Sequence, residues 1–223
     1  MSPNQCTPWS RCALRGFTML ELFVIILLIG LIAGLILPSL AKTRRKAVAQ
    51  ESLNYGRSIG VAFQKYADHH DGALVPISLP KPGQPEKVNW IELLDDYGDY
   101  SPKAGDMQFE IGYNRQLSKL GDIGSIRNPS MTVAFGDAGE IQNPDESDPD
   151  KWRESPRKSK HKKTLVFETP EGEDWKTSSN RMVNRHLGRA SVIFADGHTV
   201  LVPVSAVGFQ YKIGHSRALW DNK

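Results

Sequence analysis

One carboxylate lies inside a long apolar run, where an ionised side chain is unexpected. Glu21 is the only charged residue in the apolar run 17–37, whose only other polar side chain is that of Thr18. A carboxylate inside a membrane segment is costly and normally has a partner or a purpose. If the chain is cut between Gly16 and Phe17, the new amino group lies about one helical turn from Glu21. We therefore expect the Phe17 amine of one subunit to neutralise Glu21 of its neighbour within a bundle of helices.

A second pattern near the C-terminal end consists of His186, nine further residues, and then Asp196-Gly197. An Asp-Gly pair between two β-rich segments predicts a two-residue hairpin turn, because both positions tolerate positive φ. We expect His186 to hydrogen-bond the Asp196 carboxylate and so to fix the hairpin. A metal or catalytic role stays open, although with His198 the pattern offers three ligands and a structural zinc site uses four.

Two carboxylate-rich segments raise the question of a metal site. Residues 68–71 read Asp-His-His-Asp, but adjacent helical residues point in different directions, so a solvated helix end is the favoured interpretation. Asp145, Asp148 and Asp150 offer the oxygen ligands that calcium prefers. Pro149 interrupts this set, which favours a solvated acidic loop. We therefore predict no cofactor, with calcium at the three aspartates as a weak candidate.

The apolar run determines the position of the longest element. A chain of 223 residues favours one domain or two small ones, and 24% charged with 39% hydrophobic residues excludes polytopic membrane proteins and disordered chains. The apolar run is long enough to cross a bilayer once. We predict a transmembrane half-helix at 17–38 that continues as an extramembrane half at 39–67. Pro38 should bend this helix, and Gly72 suits the turn that ends it.

For the rest of the chain, residues 68–223, we predict a globular domain with a small antiparallel sheet. The predicted fold class is therefore α+β. Both cysteines, Cys6 and Cys12, precede the apolar run, so disulfides cannot stabilise this domain. Residues 137–163 are polar and predict a long surface loop. We expect a short helix at 88–97, and strands at 107–113, 131–135, 164–168, 190–195, 198–204 and 208–213.

The string 15–21, Arg-Gly-Phe-Thr-Met-Leu-Glu, resembles the class III signal of type IV pilins and type II secretion pseudopilins. Those proteins have a basic leader ending in Gly, then Phe at the first mature position and Glu at the fifth. Pro38 falls at mature position 22 (38 − 16), where the family also carries a helix-kinking proline. The resemblance covers roughly residues 11–67. It implies a leader at 1–16, cleavage by prepilin peptidase between Gly16 and Phe17, and methylation of the Phe17 amine.

The C-terminal H-x9-D-G element is similar to one found in a large bacterial group of pilin-like proteins. A weaker likeness to the same group takes in Tyr113-Asn114 and the segment 128–130, Asn-Pro-Ser. This ending and the long polar loop depart from the pattern of compact major pseudopilins. They favour a minor or secretion-type subunit.

The resemblance implies a structural subunit of a type II secretion pseudopilus, or a minor type IV pilin. A single span would hold it in the cytoplasmic (inner) membrane with the globular domain in the periplasm. Its partners would be prepilin peptidase, other pilin-like subunits in a homo- or heteropolymer, and the secretion or pilus assembly platform. The balance of 28 Lys and Arg against 25 Asp and Glu gives no reason to expect a nucleic-acid partner. Because no enzymatic motif stands out, we predict that the chain is not an enzyme.

Three alternatives stay open. The triplet 39–41, Ser-Leu-Ala, is an acceptable signal-peptidase site, although the apolar run exceeds the usual length of a signal core. A plain signal anchor is the second; four basic residues within 42–46 outnumber the two in the leader, and the positive-inside rule alone favours the opposite orientation. The third is a membrane-tethered binding module in the periplasm that uses the prepilin pathway without polymerising.

Overall fold

The computed structural model describes residues 17–81, 83, 87–98, 110–156 and 165–222. The chain divides into two compact units, residues 1–43 and 44–223, and each is described by itself. The predicted leader 1–16, including Gly16 of the predicted cleavage site, lies outside the described residues. So do residues 107–109 of one predicted strand and the lysine-rich end of the predicted loop.

Helix α1 (Met19–His69) covers both halves of the predicted long helix and differs from the predicted bounds by two residues at each end. In the first unit its large apolar side chains are exposed, and the helix is long and apolar enough to cross a membrane. The helix continues through position 38. As predicted, Gly72 lies in the turn that ends the helix; its φ is +87° and its N–H donates to the carbonyl oxygen of Ala67 (2.8 Å).

The second unit contains a six-stranded sheet and a small separate hairpin. The sheet has the order β5-β3-β4-β7-β8, and β6 pairs with β4 beyond the end of β7. All of these pairs are antiparallel except β3 with β5, so the sheet is mixed. The elements are β1 (Ser78–Pro80), β2 (Lys87–Asn89), α2 (Trp90–Leu94), β3 (Ile111–Asn114), β4 (Val133–Glu140), β5 (Val166–Phe167), β6 (Asn180–Met182), β7 (Ala190–Phe194) and β8 (Thr199–Val202).

The α+β class is confirmed, and five of the six predicted strands correspond to β3, β4, β5, β7 and β8. Strand β4 runs on to Glu140 and takes the first four residues of the predicted surface loop, because Gly136, Asp137 and Gly139 obscure its β pattern. The predicted strand at 208–213 is wrong. Gly208 has a φ of +89° and accepts a turn hydrogen bond from the N–H of Tyr211 (2.9 Å), so this segment is a series of turns.

Two hydrophobic clusters cover the two faces of the sheet. Residues of the second half of α1, such as Ile59 and Phe63, pack with Phe135 and Ile193 on one face. The other face packs against the C-terminal segment; its cluster includes Phe167, Met182, Val192, Phe194, Phe209 and Trp220. Because the side chains of a strand alternate between faces, β7 contributes to both clusters and lies in the middle of the domain.

The turn between β7 and β8 has a three-residue loop, so the predicted two-residue turn is wrong. Phe194 N–H donates to His198 O, and Gly197 N–H donates to Phe194 O, both at 2.9 Å. Only Gly197 has a positive φ, +88°, and Asp196 does not. This is the other common hairpin, a type I turn followed by a left-handed glycine, and it requires positive φ at a single position.

This turn is seated against α1 at Gly60. A methyl group at Gly60 would lie against the carbonyl oxygen of Gly197 and 2.9 Å from its Cα, and both are backbone atoms that cannot rotate away. The side-chain amide of Gln64 donates to Ala195 O from the same helix face. Gly197 of the Asp-Gly pair therefore packs directly against α1 at Gly60.

Gly60→Ala should destabilise the domain by about 1–3 kcal/mol, although alanine is the better helix former by about 1 kcal/mol. Gly197→Val should also destabilise it, because valine is strained at positive φ. The control is Val61→Ala, an exposed position of the same helix, which should change stability by less than about 0.5 kcal/mol. Thermal unfolding followed by near-ultraviolet circular dichroism measures all three. A Gly60→Ala variant at least as stable as the wild type would contradict the close contact.

Candidate functional site

The first candidate site is the beginning of α1, where Glu21 and Thr18 cap the helix reciprocally. Thr18 N–H and Oγ1 donate to Glu21 Oε2 at 2.9 and 3.1 Å, and Glu21 N–H donates to Thr18 Oγ1 at 3.2 Å. This arrangement is a capping box. Sequence reasoning missed Thr18 as a partner, although the T-x-x-E spacing that signals a capping box was present. Glu21 therefore closes the N-terminus of its own helix through neutral donors.

The second candidate site surrounds His186, which does not contact Asp196. His186 Nε2 lies 3.3 Å from Asp137 Oδ2, whereas Asp196 Oδ1 lies 2.5 Å from His198 Nδ1. The predicted His186–Asp196 hydrogen bond is therefore wrong. The physical reason is that β7 lies between the two residues, and its five extended residues separate them by roughly 16 Å.

Asp137 of β4 holds both ends of an excursion from the sheet, residues 183–191, which we call the 183–191 loop. Its backbone carbonyl accepts from Val183 N–H (2.9 Å), and its Oδ2 accepts from Ser191 N–H (2.6 Å). Strands β6 and β7 pair with β4 on either side of this point. The Asp137 side chain thus supplies an acceptor where the departing chain leaves a gap in the strand ladder.

Arg185 of this loop is surrounded by three carboxylates. Its Nη2 lies 2.5 Å from Glu154 Oε1 and 3.8 Å from Glu110 Oε2, and its Nη1 lies 3.7 Å from Asp137 Oδ1. Its side chain is only 10% exposed. Burial lowers the pKa of Arg185, but the hydrogen bond to Glu154 and the negative charges of Asp137, Glu154 and Glu110 together raise it. The guanidinium is therefore firmly charged and compensated by the carboxylates around it.

The side chains of His186 and Asp137 are 2% and 0% exposed. In this arrangement the buried pair holds the loop in place. Further along the chain, Arg189 and His186 exchange backbone hydrogen bonds of 3.1 and 2.8 Å, with Leu187 and Gly188 at φ +54° and +75°. The loop tip is therefore a type I′ turn that holds the Leu187 side chain outward and about half exposed.

Asn114 and Pro129 belong to the two segments with a weaker sequence likeness, and each contacts the β4–β7 region. Asn114 Nδ2 donates to Val133 O and to Trp220 O, both at 3.0 Å, and so joins β3, β4 and the C-terminal segment. Pro129 O accepts from Asp196 N–H at 3.3 Å. Both contacts support the β4–β7 region of this domain, so Asn114 and Pro129 have structural roles here.

Two of the three predicted calcium candidates, Asp148 and Asp150, have other partners. Asp148 pairs with Lys151 (3.2 Å), and Asp150 Oδ1 accepts from Asn184 Nδ2 (2.9 Å) and Ser205 N–H (3.0 Å). Burial raises the pKa of Asp150, but the hydrogen bonds from Ser205, Asn184 and Val204 together lower it. In residues 68–71, His70 Nδ1 lies 2.8 Å from Tyr66 O. No group of three or more His, Cys, Asp or Glu side chains is placed to hold a metal in the described part of the chain.

Comparison with known proteins gives no match: no protein-family model, no curated protein and no solved structure matches this chain. The residues and geometry described above are therefore the basis for its proposed function. The two features that carry chemical information are the capped carboxylate at the head of an apolar helix and the charged cluster around Asp137.

Proposed function

We propose that the chain is a structural prepilin-like subunit of a type II secretion pseudopilus or a minor type IV pilin. It is cleaved and methylated by prepilin peptidase and anchored by α1 in the cytoplasmic membrane, with the globular domain in the periplasm. The observation that carries this proposal is a single carboxylate, Glu21, at the beginning of an exposed apolar helix and five residues after Gly16.

The exposed apolar surface of α1 requires a partner. A helix that is apolar on all sides is stable only inside a membrane or within a bundle of similar helices. The described part of the chain does not cover this surface, since the large apolar side chains that are described between Phe17 and Leu40 are about 40–90% exposed. Lipid covers such a surface before assembly, and neighbouring subunits cover it within a filament.

The charge of Glu21 requires a second partner. Its described hydrogen bonds come from Thr18, which is neutral, and both reach Oε2, so the cap supplies donors to one carboxylate oxygen without compensating the charge. Removal of residues 1–16 creates a primary amine at Phe17, four residues from Glu21. Within a low-dielectric bundle an amine from an adjacent subunit compensates the charge far better than water-exposed groups do.

Maturation tests the proposal directly. Membranes from cells that express prepilin peptidase should yield a 207-residue chain (223 − 16) that begins with N-methylphenylalanine. N-terminal mass spectrometry of the intact protein measures this. A chain that begins at Lys42 would instead support an ordinary secretory signal, and an uncut chain would support a plain signal anchor. Gly16→Leu is the matched control, since the same membranes should then contain only the uncut chain.

A tethered binding module in the periplasm is the second candidate. It is favoured by a cleft of about 410 Å³ whose lining mixes charged, amide and aromatic side chains, including Lys119, Glu171 and Trp220. A purely structural subunit does not require such a cleft. The two candidates differ in their physical state: a subunit sediments with filaments sheared from cells, whereas a tethered module remains in the membrane as a detergent-soluble monomer.

A further inference from the structure

We propose that a basic cleft in the second unit binds the phosphate groups of anionic phospholipids in the membrane that holds α1. The cleft has a volume of about 430 Å³. Arg44, Arg45 and Val48 line it from α1, and Arg185, His186 and Leu187 line it from the 183–191 loop. We call these six residues the basic cleft.

The charge of the basic cleft comes from α1. The charge of Arg185 is compensated by the three carboxylates around it. Arg44 and Arg45, in contrast, are exposed. None of the six described lining residues is acidic. Arginine presents a planar fork of N–H donors that matches two phosphate oxygens at once. Two adjacent exposed arginines on the wall of a cleft therefore favour a phosphate group over a neutral ligand.

The position of the cleft along the chain identifies the source of the phosphate. Arg44 follows Leu37, the last residue of the apolar run, by seven residues, which is ~10 Å of helix. The headgroup layer begins where the hydrocarbon core ends and is roughly 5–8 Å deep. Basic residues at this distance are attracted to anionic headgroups. The positive-inside rule disfavours basic residues on the periplasmic side of a membrane. Binding to anionic headgroups gives the basic residues at 42–46 a role on that side.

Leu187 adds an apolar contact at the rim of the cleft. Its φ of +54° is unfavourable for a bulky side chain, and type I′ turns prefer asparagine, aspartate or glycine at this position. The side chain is 53% exposed, so no core packing compensates the strain. Strained residues with exposed side chains point to a functional constraint. An apolar side chain beside arginines is the combination that binds at the boundary between headgroups and acyl chains.

The inference depends on membrane insertion of α1 but not on cleavage or polymerisation. It therefore rests on the membrane anchoring in the proposed function, but its failure is distinguishable from a failure of processing or assembly. A chain that is never processed should still bind anionic lipid, and a subunit that assembles normally could still lack lipid preference.

The first experiment measures lipid binding by the full-length protein in detergent, using native mass spectrometry. Phosphatidylglycerol should bind more tightly than phosphatidylcholine. The double variant Arg44→Gln/Arg45→Gln should weaken phosphatidylglycerol binding about 25-fold, or about fivefold for each arginine. The matched control, Arg57→Gln/Lys65→Gln, removes the same charge from exposed positions of the same helix outside the cleft and should change the affinity less than twofold.

The second experiment separates the role of Leu187 from that of the turn. Leu187→Asn should raise the melting temperature, because asparagine suits a positive φ, and should weaken phosphatidylglycerol binding severalfold. Hydrogen exchange of the 183–191 loop should be slower in phosphatidylglycerol nanodiscs than in phosphatidylcholine nanodiscs. The arginine double variant should abolish this difference.

Three results would overturn the proposal. An equal loss of binding in the Arg57/Lys65 control would show general charge attraction without a site. Competition by inorganic phosphate at low millimolar concentration would show a site for free phosphate and not for lipid. Equal affinity for phosphatidylglycerol and phosphatidylcholine would show that the cleft does not recognise anionic lipid.

Discussion

Replacing Asp137 by alanine is expected to destabilise the globular domain by about 3–5 kcal/mol. The carboxylate is fully buried, accepts the N–H of Ser191, and lies next to the guanidinium of Arg185 and the ring of His186. Removing one member of a buried charge network leaves the other members without compensation, and this costs more than the intact network contributes. The substitution also leaves the buried Ser191 N–H without its acceptor. Denaturant unfolding monitored by tryptophan fluorescence measures the loss.

Two comparisons show whether the loss is specific to Asp137. Asp145→Ala removes an exposed carboxylate and should change the free energy of unfolding by less than about 0.5 kcal/mol. His186→Gln should cost less, about 1 kcal/mol, because it removes a buried contact of the imidazole with Asp137 Oδ2 (3.3 Å) but no hydrogen bond. Hydrogen exchange should show the 183–191 loop opening first in the Asp137→Ala variant. A cost for Asp137→Ala no larger than that for His186→Gln would mean that the loop is held by other contacts.

The second large effect concerns assembly. Glu21→Leu should insert into the membrane at least as well as the wild type, because it removes an intramembrane charge, but it should not enter filaments. The reason is that the Phe17 amine of the adjacent subunit then lacks a carboxylate partner. Quantifying the protein in sheared filaments and in membranes, with an antibody against the globular domain, measures both steps in one experiment.

The capping box requires two further variants, because Glu21→Leu also removes the cap of α1. Glu21→Gln keeps a capping acceptor but removes the charge, and it should fail to assemble as Glu21→Leu does. Thr18→Val removes the hydroxyl that accepts from Glu21 N–H while keeping the carboxylate, and it should assemble. The opposite pattern, with Glu21→Gln assembling and Thr18→Val failing, would show that Glu21 acts as a helix cap and not as a charge.

The sequence predicts local elements of this fold far better than it predicts contacts between them. The continuous apolar run and the helical spacing of Ile59, Phe63 and Tyr66 predict α1, because both patterns are local to one helix. The strand predicted at 208–213 is wrong because its buried residues, Gly208 and Phe209, lie in turns around the Trp220 indole, which donates to Gly208 O (2.9 Å). Apolar patterning reports burial, and burial alone does not distinguish a strand from a set of turns.

The partner of His186 illustrates what spacing cannot provide. Asp137 precedes it by 49 residues (186 − 137), and only the pairing of β4 with β6 and β7 brings the two together. Spacing favoured Asp196 because it is nearer in sequence, but an intervening strand keeps the two apart. Conversely, the positive φ of Gly197 was predictable, since it follows from the chemistry of an Asp-Gly turn and not from distant contacts.

The seating of the β7–β8 turn on Gly60 determines how the domain bears mechanical load. A pull along α1 reaches the backbone of the turn directly, through the contact between Gly60 and Gly197 and the hydrogen bond from Gln64 to Ala195 O. The turn passes the load to β7 and β8, which are held by an antiparallel ladder from Ala190 to Val202. The second half of α1 and the centre of the sheet therefore resist extension together, without an intervening compliant loop.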